Sequence, residues 1–111
     1  MTAVQMKYLL AYAMLEEKER SLTAIAIEFG VNKSTVSRVF SLAIKAGILD
    51  KKHKLTCRGC EYVENYRERY EMLSSFLIGL GIAKEYALED AHNILANCSS
   101  YTIDAFLSKG K

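Results

Sequence analysis

Between Thr23 and Leu49 the chain spells two short helices around a Gly30-Val31-Asn32 turn, and this stretch restricts the possible folds more than any other. Ile25, Ala26 and Phe29 are spaced to share one helix face, and Thr23 is placed to cap that helix with its hydroxyl. Gly30 then stops it, because glycine enters left-handed backbone geometry without a Cβ clash. Asn32 is positioned to cap the second helix, and Gly47 follows Lys45, a cation placed where the helix dipole favours one. Val36, Val39, Phe40 and Ala43 need a partner to bury them, which leaves Lys33, Ser34, Thr35, Ser37 and Arg38 on the outer side. Short hydrogen-bonding side chains and cations opening a helix after such a turn predict a helix-turn-helix that presents this edge to double-stranded DNA, with Arg38 the residue suited to a guanine edge.

Charge follows the same division. Residues 1–56 carry nine Lys/Arg against five Asp/Glu, whereas residues 57–111 carry six against eight. After Gly47, Ile48-Leu49 and Lys54-Leu55-Thr56 are too short for helices and predict the two arms of a β-wing around a Lys51-Lys52-His53 tip. Lys51, Lys52 and Lys54 would then lie along phosphates, adding affinity and salt dependence rather than sequence preference, with His53 a further polar group on that side.

The rest of the chain reads as helix. Gln5 to about Lys18 places Met6, Leu9, Leu10, Ala13 and Met14 at helical spacing, with Glu16 to Arg20 as a solvated end. Thr56 is placed to cap a long helix from Cys57 to about Ile78, whose stripe runs Cys60, Val63, Tyr66, Tyr70, Leu73, Leu77. Two more are expected over 83–97, with Tyr86, Ala87, Ala91, Ile94 and Leu95 inward, and over 100–108, with Ile103, Phe106 and Leu107 inward. Three helices carry more apolar surface than a winged helix needs, and a two-fold interface is the natural use of the excess. The fold class expected is therefore mainly α: a winged helix-turn-helix over 1–56 followed by a three-helix dimerisation domain over 57–111, acting as a homodimer through its C-terminal helices.

The order and spacing of several signatures resemble the diphtheria-toxin-repressor family of iron- and manganese-dependent regulators, especially its short manganese-responsive branch. The residues concerned are Tyr8 to Leu15 with Glu16-Glu17, Leu22-Thr23-x-Ile25-Ala26, Val31-x-x-Ser34-Thr35-Val36-Ser37, Gly47-Ile48-Leu49, Leu55-Thr56-x-x-Gly59 and Leu73-x-x-Phe76-Leu77-x-x-Leu80-Gly81. The resemblance implies a transcriptional regulator that binds a palindromic operator as a homodimer. It also implies a metal site whose positions fall on Lys7, Leu10, Tyr70, His92, Leu95 and Ala96. Of these His92 is the family-type ligand that remains, whereas manganese or ferrous iron needs several oxygen and imidazole donors. The expectation is a degenerate site, with apolar contacts among Leu10, Tyr70, Leu95 and Ala96 replacing the metal and DNA binding that needs none.

No proline interrupts the helices, and neither a bilayer-length apolar run nor the layout of a secretion signal is present, so a cytoplasmic protein without membrane contact is expected. Three cysteines without an export signal argue against a disulfide framework. Cys57-x-x-Cys60 has the spacing of thiolate zinc sites, with His53 upstream and Cys98 as a further partner; Cys57 falls in a first helical turn and Cys60 on the apolar stripe as a small core residue. No cofactor is assigned, a divalent manganese, iron or zinc being the one the pattern leaves open. No nucleophile, phosphate loop or acid-base pair stands in catalytic context, so an enzyme is not expected. The competing readings are a winged helix that docks protein partners and a cysteine-based zinc or redox sensor.

Overall fold

The computed structural model describes residues 2–109. Its helices are α1 (Ala3–Met14), α2 (Leu22–Phe29), α3 (Lys33–Lys45), α4 (Cys57–Gly79), α5 (Lys84–Asn97) and α6 (Ser100–Lys109), with one 3₁₀ turn at Glu17–Glu19. Among the described residues β structure is confined to a single antiparallel bridge between Leu49 and Leu55. The chain forms two compact units, Lys7–Glu64 and the residues up to Met6 together with those from Asn65 onward, so the first turns of α4 belong with the helix-turn-helix. Among the described residues no helix is long and apolar enough to cross a membrane.

In the first unit, the expected helix through Lys18 ends four residues earlier. Arg20 turns back to donate from Nε to the Leu15 carbonyl (3.0 Å) and from Nη2 to that of Ala13 (2.7 Å), satisfying carbonyls that the helix end leaves open. The buried stripe of α1 also differs from the expected one: Tyr8, Leu9 and Tyr12 are inside, while Met14 is 65% exposed. Tyr8 meets Phe29 of α2 at 4.9 Å and Tyr12 stands edge-on to Phe40 of α3 at 4.7 Å, so two tyrosines supply the ring contacts that seat the helix-turn-helix pair.

The cap of α2 is Ser21 rather than Thr23, its Oγ accepting from Ala24 N at 3.0 Å. Gly30 closes the helix at φ +64°, as its position predicts. Asn32 occupies the cap position of α3 with an extended backbone, but makes no side-chain cap bond. Its carbonyl accepts from Thr35 and Val36 instead. Thr56 caps α4 as expected, Oγ1 accepting from Gly59 N at 2.8 Å while donating to the Gly47 carbonyl at 2.6 Å. Gly59 is buried because α4 begins hard against the Ile48 carbonyl, where any Cβ would overlap that oxygen. Gly59 and Val63 therefore define the inward line of this turn, and Cys60, one residue further round, is exposed rather than in the core.

In the second unit Leu73, Ala87, Ala91 and Ile103 are buried. Arg69 of α4 pairs with Asp104 of α6 at 3.2 Å, and Phe76 meets Phe106 at 6.1 Å. Tyr86 and Phe106, expected inward, are 65% and 41% exposed; the small pair Ala87 and Ala91 takes the inner line of α5, which turns Tyr86 to its outer side.

Candidate nucleic-acid interface

The second helix of the pair, α3, is strongly two-sided. Val36, Phe40 and Ala43 are fully buried and Val39 nearly so, whereas Lys33, Ser34, Thr35, Ser37 and Arg38 are all exposed. The four buried positions recur every three or four residues, so burying them leaves the opening turn and the Ser37-Arg38 step outward. Ser41 donates from Oγ to the Ser37 carbonyl at 3.0 Å, which leaves the Ser37 hydroxyl uncommitted by that bond. The assembled edge offers one guanidinium, one ammonium and three hydroxyls on a helix, a set able to donate to base edges and phosphates.

The wing is smaller than expected. Two arms with one bridged pair carry a tip in which Lys51, Lys52 and Lys54 are exposed. Its organiser is Asp50, the one acid between Val31 and Thr56. Asp50 Oδ1 accepts from Lys52 N (2.8 Å) and Lys54 N (3.0 Å), its own N–H donates to the Lys54 carbonyl (2.8 Å), and its carbonyl accepts from His53 N (2.9 Å). The Lys54 amide bond, followed by that of Lys52 and both ammonium groups, holds the carboxyl below its ordinary range against some desolvation. An aspartate opening a tight tip is an Asx-turn signal, so this role was open to detection.

His53 is not a free phosphate-side group. It is half-buried at φ +64°, its ring edge-on to Phe40 at 5.5 Å and its carbonyl accepting from the Tyr12 hydroxyl at 2.6 Å. Burial pushes the Tyr12 phenol up, Arg20 opposing and Asp50 adding to the shift. Arg20 lies over the Tyr12 ring at 5.9 Å. Tyr12, Arg20 and Asp50 are thus the residues that sequence reasoning missed; Tyr12 leaves no local signal because its partner His53 lies 41 residues on, and Arg20 leaves none because its bonds to the nearby Leu15 and Ala13 carbonyls follow no residue pattern.

The candidate ligating residues are used or placed differently from one another. Cys57 and Cys60 are exposed in the first turn of α4, and Cys98, at the end of α5, is exposed too. His92 is buried, with Nδ1 at 2.6 Å from the Tyr66 hydroxyl and its ring stacked on Tyr70 at 4.1 Å. Burial, with a Ser74 hydrogen bond opposing and Glu89 adding, holds the Tyr70 phenol above its ordinary value. Among the described residues no three His, Cys, Asp or Glu side chains come together as a metal would require.

A polar-edged second helix behind a tight turn, followed by a short basic wing, defines a winged helix-turn-helix protein. The family described as wHTH-PRTase associated matches residues 9–86, and the chain belongs to that family. It is also similar to the transcriptional regulator MntR of Salmonella typhimurium, 28% identical over 104 residues that cover 90% of this chain and 66% of the relative. The MntR of Escherichia coli O6:H1 is 29% identical over 86 residues, 74% of this chain and 56% of that protein. The chain thus spans just under two thirds, or less, of the relatives it matches.

Proposed function

We propose that the chain is a sequence-specific, DNA-binding transcriptional regulator and not an enzyme. The observation that carries this reading is the two-sidedness of α3: Val36 and Phe40 fully buried, and Lys33, Ser34, Thr35, Ser37 and Arg38 exposed together on the opposite side. The wing lysines Lys51, Lys52 and Lys54 add phosphate contacts. The names of the two MntR relatives support the assignment.

Operator binding as a homodimer on a palindrome is part of the same reading. Its support is the apolar surface at the end of α4: a cleft of about 560 Å³ lined by Met72, Phe76, Leu80 and Leu107, with Leu80 66% exposed. A second copy is the partner that two-fold symmetry offers such a surface.

Manganese or iron is not required for binding in this reading. Leu10, Leu95 and Ala96 carry no donor, Lys7 offers a cation, and the neutral Tyr70 phenol is a poor ligand for a hard divalent ion. His92 already meets Tyr66 through one ring nitrogen. Selection of bound sequences from a random duplex pool, run with and without a strong chelator, tests all three parts. One palindromic motif recovered under both conditions is the expected result; recovery only after manganese or iron is restored would refute metal independence, and recovery of no motif would favour a protein-docking winged helix.

A further inference from the structure

We propose that Asp50 and Tyr12 are the positioning residues of the wing: Asp50 folds its tip and Tyr12 docks it, so that the lysines meet a duplex backbone already arranged. The inference rests on the reading of the chain as a DNA binder.

A wing with several ladder hydrogen bonds holds its tip through its strands. Here the arms share one bridged pair, Leu49 and Leu55, and the tip must be held by other means. Four short hydrogen bonds converge on Asp50, two at its carboxylate and two at its backbone. They leave all three lysine side chains exposed. The turn they close puts His53, which is not a glycine, into left-handed geometry at φ +64°, a conformation that persists only where its surroundings enforce it. Tyr12 supplies the enforcement from α1, its hydroxyl donating to the His53 carbonyl at 2.6 Å from a side chain only 5% exposed.

Charge and position make opposite demands at Asp50, and this separates the two explanations. A carboxylate among phosphate-facing lysines opposes DNA by Coulomb's law, so its removal should tighten binding if charge were its whole effect. If Asp50 positions the lysines, alanine should weaken binding although it removes a negative charge. Asparagine keeps an acceptor oxygen at Oδ1 without the charge and should preserve or improve binding.

The test is fluorescence anisotropy of the full chain on random-sequence duplex across a salt series, with wild type, Asp50→Asn, Asp50→Ala and Tyr12→Phe. The expected result is Asp50→Asn at least as tight as wild type with an unchanged salt slope. Asp50→Ala is expected weaker by about 3- to 10-fold with a slope shallower by about one phosphate contact. Tyr12→Phe, which keeps its ring against Phe40, should shift in the same direction as Asp50→Ala. Amide exchange at Lys52 and Lys54 should quicken in Asp50→Ala and not in Asp50→Asn, at the same thermal midpoint. Asp50→Ala binding as tightly as Asp50→Asn, with the wild type binding normally, would overturn the inference alone. A wild type that binds no duplex would overturn the DNA reading on which it stands.

Discussion

Arg38 is the one guanidinium on the exposed side of α3, and its rigid planar fork matches the two acceptors of a guanine edge better than a hydroxyl or a flexible ammonium does. Its replacement by Ala is expected to cost about 1–3 kcal/mol on the preferred site and to relax discrimination at a single base pair, read from selected-sequence profiles of the two proteins. Asp50 and Tyr12 act at the same scale through protons. The Asp50 carboxyl sits below its ordinary value, so the charge-assisted part of its hold on the turn is present above about pH 4 and is lost as pH falls through the lower folded value, while the acceptor oxygen that asparagine would also offer remains. The Tyr12 phenol sits above its ordinary value; its contribution is complete below about pH 10 and is lost as pH rises through the higher folded value. The wing is therefore expected to keep its order between these limits, and amide signals of Lys52 to Lys54 followed across pH would show whether it loosens only outside them.

At the scale of elements, the proposed function gives helix and wing different parts in binding. Lys52→Ala is expected to weaken every duplex alike and to lower the salt slope by about one, with sequence preference unchanged, as titrations on matched and scrambled duplexes would report. The inner and outer sides of α3 were legible in the sequence because burial there follows helical period, and the cap at Thr56 was legible because a hydroxyl sits just before the helix it serves. The end of α1 was not. It is set by Arg20 folding back onto carbonyls five and seven residues away, and nothing in a run of alternating charges marks that bond. Cys60 was misplaced for a related reason: the inward line of α4 passes through Gly59, which has no side chain to show in a hydrophobic pattern. His53 was misread because its burial depends on a tyrosine 41 residues earlier.

For the whole molecule, assembly is the quantity to measure. If the α4 end with Leu80 and Met72 is covered by a second copy, Leu80→Glu should shift sedimentation toward the monomer and cost operator affinity while sparing the helical spectrum. Chelation should change neither. The seat of Gly59 has a further consequence for how the parts move. With only a hydrogen atom where a side chain would be, the start of the long helix has no slack against the arm that opens the wing. Gly59→Ala should accordingly lower stability by about 1–3 kcal/mol or more, as packed sites that receive an extra methyl do. In the intact protein the same fit works like meshed teeth: whatever rotates the start of the helix about its axis must carry Ile48, and with it the arm that leads to the lysine-bearing tip.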